Sequence, residues 1–198
     1  MAEEFNLEND IRVSSLSRYP EVLTMEEQSA DEEELWSDLS QAIREACTQF
    51  VATRTTEGEH LKQDLVEKLH HMRDNVEKVE QRAPQIIAEY RSKLMEKVNE
   101  LLGDTQIDEA RLSTEIVLFA DKICTDEETV RLKSHITSML NALEGSEGIG
   151  RKLDFIAQEM NREANTILSK SNDLETSDIA IELKTEIEKV REQIQNIE

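Results

Sequence analysis

Carboxylates, amides and cations recur at helical spacing between Asp154 and Lys170. Asp154, Gln158, Asn161 and Asn165 fall three or four residues apart, and so do Glu159, Arg162, Glu163, Thr166 and Lys170. Such steps place side chains on one side of a helix. Glu159 and Glu163, one turn apart, are able to share a hard divalent ion, with Asp154 as a further oxygen ligand. Arg151, Arg162 and Lys170 suit phosphate groups. Asn161, Asn165 and Thr166 are weak helix formers, because their side chains compete for backbone hydrogen bonds. Their presence on a polar face suggests a hydrogen-bonding role. A surface network of i,i+4 pairs, or polar contacts between helices, would produce the same pattern.

A second cluster is Glu127, Glu128, Arg131 and His135. On a helix, Glu128, Arg131 and His135 project from one side. A carboxylate beside an imidazole binds a divalent metal or moves protons, and an arginine holds phosphate. The plainer reading is a capping box, Thr125-x-x-Glu128, with Asp126 and Glu127 favoured by the helix dipole. A third group is Arg54, Glu57, Gly58, His60 and Asp64, in which His60 also reads as an exposed helix residue. His70 and His71 are adjacent, diverge around a helix, and read as surface or interface residues. There is no GxxxxGK[ST] loop, Rossmann fingerprint, GxSxG elbow or zinc-type Cys/His spacing. A nucleotide cofactor and cysteine-based catalysis are therefore unsupported.

These residues need helices to position them, and the chain is patterned for helices throughout. Leu153, Ile156, Ala157, Met160, Ala164, Ile167 and Leu168 form one apolar stripe, predicting a helix over Gly150 to Lys170. Upstream, the acidic run ADEEEL suits a helix start. Leu35, Leu39, Ala42, Ile43, Ala46 and Phe50 follow at helical spacing, with Trp36 expected to pack beside them. Thr56 and Glu59 read as a capping box. A long seam then runs from Leu61 through Leu65, Leu69, Met72, Val76, Val79, Ala83, Ile86, Tyr90, Leu94 and Val98 to Leu101, in mostly alternating steps of four and three. Pro84 within it predicts a kink or break, and Gly103 its end. Leu112, Ile116, Leu118 or Phe119, and Ile123 predict a further helix. Ile136, Met139, Leu140 and Leu143 predict the next, beginning at Thr125. GSEGIG, with Gly145, Gly148 and Gly150, is the one plainly flexible loop. Asp173 or Asn172 should cap a last helix whose seam is Leu183, Ile187, Val190, Ile194 and Ile197.

No strand alternation is visible. The expected fold is all-α, with long antiparallel, coiled-coil-like helices in an oligomeric helical bundle. Residues 1–30 read as a lead-in, 31–105 as a helical hairpin or coiled-coil arm, and 106–198 as a C-terminal helical domain. A seam as long as that over 61–101 must fold back on other helices, pair with a second copy, or both. The 198 residues carry 23 basic and 44 acidic side chains, a net charge of −21. That charge opposes non-specific binding to a polyanion, so a polyanion ligand would require basic residues grouped locally or metal ions offsetting the carboxylates. Cys47 and Cys124 have no metal-ligand spacing. The acidic N-terminus does not read as a signal peptide, and no apolar run is long enough to span a bilayer, which makes the cytoplasm the default location.

GRKLDFIAQEMNREANTILSK, together with IELKTEIEKVREQIQNIE, EIVLFADK, EETVRLKSH, TRTTEGEHLKQDL and LSRYPEV, resembles the YicC/YloC family of bacterial endoribonucleases. The resemblance implies cleavage of single-stranded RNA with a divalent cation, manganese or magnesium, by a ring-like homo-oligomer, with a hexamer among the candidates. It directs attention to positions, and chemistry suggests roles for them. Glu159, Glu163, His135 and Glu128 are the catalytic candidates. Arg131, Arg151, Arg162, Asn161, Asn165 and Lys170 are the candidates for holding RNA. Glu159, Glu163, Asp154 and Glu127 are the candidate metal ligands. Two departures are expected: Cys124 stands where the family pattern has aspartate, and the strand-rich amino-terminal domain ahead of LSRYPEV is absent. The alternative function is a non-catalytic helical module for oligomerisation or partner binding.

Overall fold

The computed structural model describes residues 2–25, 31–102, 109–145, 149–195 and 197. Among them the elements are α1 (Val13–Leu16), α2 (Glu32–Leu102), α3 (Glu109–Ile123), α4 (Asp126–Leu143), α5 (Gly150–Lys170) and α6 (Leu174–Ile194), with no strand. The all-α expectation holds. The chain divides into two compact units, Met1–Ala52 and Thr53–Glu198.

Helix α2 is 71 residues long. Asp31 accepts a hydrogen bond from the Glu33 amide at 3.0 Å, and Glu32, Glu33 and Glu34 occupy the first turn. Both features suit the positive end of a helix. The capping box expected at Thr56 and Glu59 does not form, because the helix runs straight through it. A capping box needs a residue that leaves helical geometry, and only Gly58 in this region disfavours a helix, by about 1 kcal/mol relative to Ala. Good helix formers on both sides outweigh that. Pro84 also lies within α2 without ending it. The expected terminus at Gly103 lies outside the described residues, as does part of the loop after α4, residues 146–148.

In the first unit, Leu35, Leu39 and Ile43 are exposed, and Trp36, expected to pack, is 66% exposed. In the second unit the core is one cluster. Leu65, Leu69, Met72, Val76 and Val79 of α2 meet Leu132, Ile136 and Met139 of α4, the stripe of α5, and Ala180, Leu183, Ile187 and Val190 of α6. The α2 residues follow steps of four and three, as the seam required. Further along α2 the seam loosens: Ile86, Tyr90, Leu94 and Val98 are only half-buried. On α3, Phe119 rather than Leu118 turns inward.

Polar ladders set the direction of the helices. Arg82, His71 and Asp64 of α2 meet Asp173, Glu182 and Gln193 in turn, so α2 and α6 run antiparallel. Arg73 and Glu80 meet Thr137 and Lys133, so α2 and α4 also run antiparallel. Helix α5 packs between α4 and α6. Of the two N-cap candidates for α6, the structure selects Asp173, which accepts from the Thr176 amide at 3.0 Å. The same carboxylate takes two hydrogen bonds from Arg82, at 2.8 and 3.2 Å.

Two predictions follow from this packing. Helix α5 opens on Gly150, where a Cβ would lie 2.7 Å from the Ile197 carbonyl oxygen. Helix propensity favours alanine over glycine by about 1 kcal/mol, whereas overpacking costs about 1–3 kcal/mol. Gly150→Ala is therefore expected to lower the urea midpoint of unfolding, and a raised midpoint would contradict the close approach. At Asp173, the Arg82 guanidinium holds the carboxyl below the usual carboxylate range; burial opposes this and Thr176 assists it. A carboxylate with a depressed folded pKa stabilises the fold above its unfolded value, about 4. That stability is lost as pH falls through the lower folded value. Asp173→Asn should thus destabilise at pH 7, and thermal melts should show the difference from wild type shrinking as pH drops below about 4.

Candidate functional site

The apolar stripe of α5 fixes which way its polar residues point. With Leu153, Ala157, Met160, Ala164 and Ile167 buried, one flank of α5 faces α4 and the other faces α6. On the α4 side, the Lys170 ammonium donates to both carboxylate oxygens of Glu128, at 3.0 and 3.1 Å, and to the Cys124 carbonyl at 2.9 Å. Glu128 is only 6% exposed. Two turns back along α5, Glu163 lies 3.9 Å from Arg131 of α4. Arg131 also donates to Glu127 at 2.7 Å. These two cross-helix pairs set an antiparallel register. That register carries His135, one turn beyond Arg131, to the level of Glu159 and Glu163. His135 is half-buried.

The structure therefore brings Glu127, Arg131, His135, Glu159, Arg162 and Glu163 onto one α4–α5 face. Arg162 donates to Glu159 at 2.8 Å, and the Asn165 amide donates to Asn161 at 3.2 Å. Asp154 does not join them. It accepts from Arg191 of α6 at 2.9 Å and from Gln158 at 2.7 Å. The Arg191 hydrogen bond holds its carboxyl below the usual range, against burial and with help from Gln158. Arg151 is exposed at the other end of α5. Glu128 and Lys170 occupy each other, and the capping box read at Thr125 and Glu128 does not form. Thr125 makes no side-chain cap, and the carboxylate reaches Lys170 instead.

The cations on this face are held loosely. Side-chain exposure is 55% for Arg131 and 76% for Glu127, and 75% for Arg162. Exposed pairs of this kind contribute about 0–1 kcal/mol. An incoming phosphate is able to replace the carboxylate at either arginine at little cost, and a guanidinium offers it a flat bidentate fork. No three His, Cys, Asp or Glu side chains converge on one metal-sized point among the described residues. A magnesium-type ion does not require such a cage, since it commonly binds through one or two carboxylates, waters and substrate phosphate. Glu159 and Glu163, one turn apart, match that kind of donor set.

The third cluster separates. Arg54, Glu57 and Gly58 line a cleft of about 480 Å³ with Leu61, Lys62 and Ile149, while Asp64 accepts from Lys68 at 2.6 Å and also pairs with Gln193. Sequence reasoning missed Arg191 as the partner of Asp154. It also missed a stacked aromatic pair, Tyr90 and Phe119, whose rings lie 3.6 Å apart and 8° from parallel. Periodicity assigns residues to a face of their own helix and carries no signal for contacts between helices.

If Lys170 is committed to Glu128 as observed, Lys170→Met should leave a buried carboxylate without its cation, costing about 1–3 kcal/mol. Arg162→Met removes an exposed pair and should stay within about 0.5 kcal/mol. Urea unfolding of the two variants distinguishes them, and equal effects would show that the Lys170 ammonium is not engaged in the fold.

Comparison with known proteins bears on the whole chain. The family model described as "Endoribonuclease YicC-like, C-terminal" matches residues 79–198, and "Endoribonuclease YicC-like, N-terminal region" matches residues 1–63. The second match overturns the expectation that the family's amino-terminal domain is absent. That expectation looked for strands, whereas the described part of residues 1–63 comprises turns, α1 and the first portion of α2. Two similar proteins are each named "Probable endoribonuclease YicC". One, from Clostridioides difficile, is 41% identical over 98% of this chain and 67% of its own length. The other, from Haemophilus influenzae, is 36% identical over 96% of this chain and 65% of its own length. The chain thus spans about two thirds of the length of these relatives. Among the described residues, no helix is long and apolar enough to cross a membrane.

Proposed function

The chain belongs to the YicC-like endoribonuclease family, and from that premise we propose that it cuts single-stranded RNA internally, with the α4–α5 face as the site of cleavage. The observation that carries this reading is the Arg131–Glu163 approach across the two helices, with Glu159, Arg162 and His135 at the same level. Phosphodiester cleavage needs three things: a base for the attacking hydroxyl, positive charge on the non-bridging oxygens, and an acid for the leaving oxygen. In this proposal Arg131 and Arg162 release Glu127 and Glu159 to grip the phosphate. Glu163 accepts the proton of the attacking hydroxyl, and His135 protonates the leaving oxygen. Asn161 and Asn165 hydrogen-bond the RNA along α5, and Arg151 extends the phosphate track.

A divalent cation, manganese or magnesium, belongs to the same proposal. Glu159 and Glu163 would hold it, and it would supply positive charge at the phosphate and offset the carboxylates of this acidic chain. Glu127 and Asp154 are further candidate ligands: Arg131 releases Glu127 as Arg162 releases Glu159, whereas Arg191 of α6 holds Asp154 apart from this face. Lys170 and Glu128 act as positioning residues that keep α4 and α5 in register. Assembly into a homo-oligomer is also proposed, with the exposed Leu35, Trp36, Leu39 and Ile43 of α2 as the packing surface. That exposed stripe is also the observation favouring the rival reading, a helical module that binds partners without catalysis.

One assay separates the two. Labelled single-stranded RNA is incubated with the chain, with and without manganese or magnesium, beside Glu159→Ala, Glu163→Ala and Arg131→Ala, and each sample is sized by sedimentation. Cation-dependent cutting is expected, slowed about a hundredfold or more in Glu163→Ala. Binding should weaken steeply with salt, and Arg131→Ala should reduce the salt slope by about one. Unchanged cleavage in both glutamate variants sinks the site. No cleavage by a folded, oligomeric wild type favours the binding module.

A further inference from the structure

A second cleft, of about 580 Å³, opens where α2, α3 and the turn between α5 and α6 meet. Its walls are Tyr90, Leu118, Phe119 and Ile123, and its polar groups include Lys122 and Asn172. The Tyr90 and Phe119 rings lie nearly parallel, 3.6 Å apart. The Tyr90 hydroxyl hydrogen-bonds Glu115 at 3.4 Å, and burial first, then the Glu115 charge, pushes the phenol pKa up, so it stays a neutral ring. Lys122 and Asn172 are both exposed, and neither side chain makes a hydrogen bond or ion pair with another described residue. Among the cations near this cleft the contrast is with Lys170, whose ammonium is committed to Glu128 while its side chain forms part of the cleft wall.

We propose that this cleft receives one unstacked base of a single-stranded RNA, with the base against the Tyr90–Phe119 wall, its edge read by the Asn172 amide, and an adjoining phosphate on Lys122. Single-stranded RNA is held in this way elsewhere: splayed bases stack on aromatic rings, and polar side chains hydrogen-bond their edges. An amide offers both donors and an acceptor, which suits any base edge. The volume falls within the usual range for small-ligand sites, about 300–1,000 Å³. A purely apolar side chain from a protein partner would leave the Asn172 amide and the Lys122 charge unused, whereas a nucleotide uses both. The cleft also adjoins the cleavage face, because Lys170, which lines it, lies two turns along α5 from Glu163. A base seated in it would anchor the strand beside Glu163 and Arg131 and set which phosphate is presented to them. The inference rests on the RNA reading above and names a specificity subsite for it.

The test uses the full chain and RNA oligonucleotides carrying 5-iodouridine at successive positions. Ultraviolet cross-links should map by mass spectrometry to Tyr90 or Phe119 from one register of the RNA. In parallel, affinity is compared between an intact oligonucleotide and one lacking a single base at that register. Wild type should prefer the intact strand by roughly tenfold, the scale of one base–aromatic stack. Phe119→Leu and Asn172→Ala should each reduce that preference severalfold, with circular dichroism confirming that the helices persist. Asn172 is exposed, so its variant keeps the test valid if Phe119→Leu unfolds. If wild type binds RNA but cross-links map elsewhere and both variants keep the full preference, the cleft proposal is overturned and the cleavage reading stands. If wild type binds no RNA even at low salt, the cleavage reading fails and this inference fails with it.

Discussion

Burial of the α5 stripe governs where every polar side chain of that helix can point. Leu153, Met160 and Ile167 are shielded from water along with Ala157 and Ala164, and each large member contributes about 1.5–3 kcal/mol. The exposed ion pairs on the same helix contribute about 0–1 kcal/mol each. The apolar stripe therefore decides the rotation of α5, and the ion pairs form where that rotation leaves them. Asp154 is turned toward Arg191 of α6, while Glu163 and Lys170 are turned toward Arg131 and Glu128 of α4. The two sets that spacing separates, Asp154 with Gln158 and Glu163 with Lys170, thus meet different neighbours, and the candidate site lies on the α4 side.

That division leaves Arg131 and Arg162 largely exposed on the α4–α5 face of this chain of net charge −21. Its cations are not massed in a basic patch. Arg82, Arg131, Arg162 and Lys170 each sit beside carboxylates and differ in how tightly they are held. Arg82 is 13% exposed and is gripped by Asp173 and Glu89, so it serves the fold. Arg131 and Arg162 are largely exposed and weakly paired, so exchanging a carboxylate for a phosphate costs them little. Burial of the cation itself, rather than the count of charges, separates structural cations from those available to a ligand.

The sequence was legible wherever one helix sufficed to answer the question. The stripe from Leu153 to Leu168 implied the helix that the structure shows as α5, although Gly150, read as part of the GSEGIG loop, is its first residue. The spacing Leu65, Leu69, Met72, Val76, Val79 marked the part of α2 that reaches the core, and Asp173 was one of two caps expected. What could not be read was whatever depends on a neighbour. Glu128 looked like a cap or a catalyst because Lys170, 42 positions away, is invisible to local spacing. Asp154 looked like a metal ligand until Arg191 took it. Tyr90 and Phe119 fell within separate periodic patterns, which say nothing of their stacking. The Thr56–Glu59 pattern failed for a different reason: a cap signature carries weight only where the chain leaves helical geometry, and α2 does not leave it there.

Asn75 is a polar residue in the core whose one side-chain hydrogen-bond partner among the described residues lies on its own helix. It lies wholly buried in the α2 seam between Met72 and Val76, with Lys78 donating to its carbonyl oxygen and no partner for its amide nitrogen. A buried polar group with an unmet donor costs about 1–3 kcal/mol, and an apolar residue there would avoid that cost. Lys78 lies on the same helix, so Asn75 does not itself tie α2 to a neighbour, and alignment rests on the pairs made between helices. The alignment matters beyond α2. Arg73 with Thr137, Glu80 with Lys133, and Arg82 with Asp173 all depend on the height of α2 against α4 and α6. Through α4, that height also sets where Arg131 and His135 stand opposite α5. A slip of α2 by one heptad would keep an apolar seam in place yet break all three ties at once, so these pairs hold the α4–α5 face in a single arrangement.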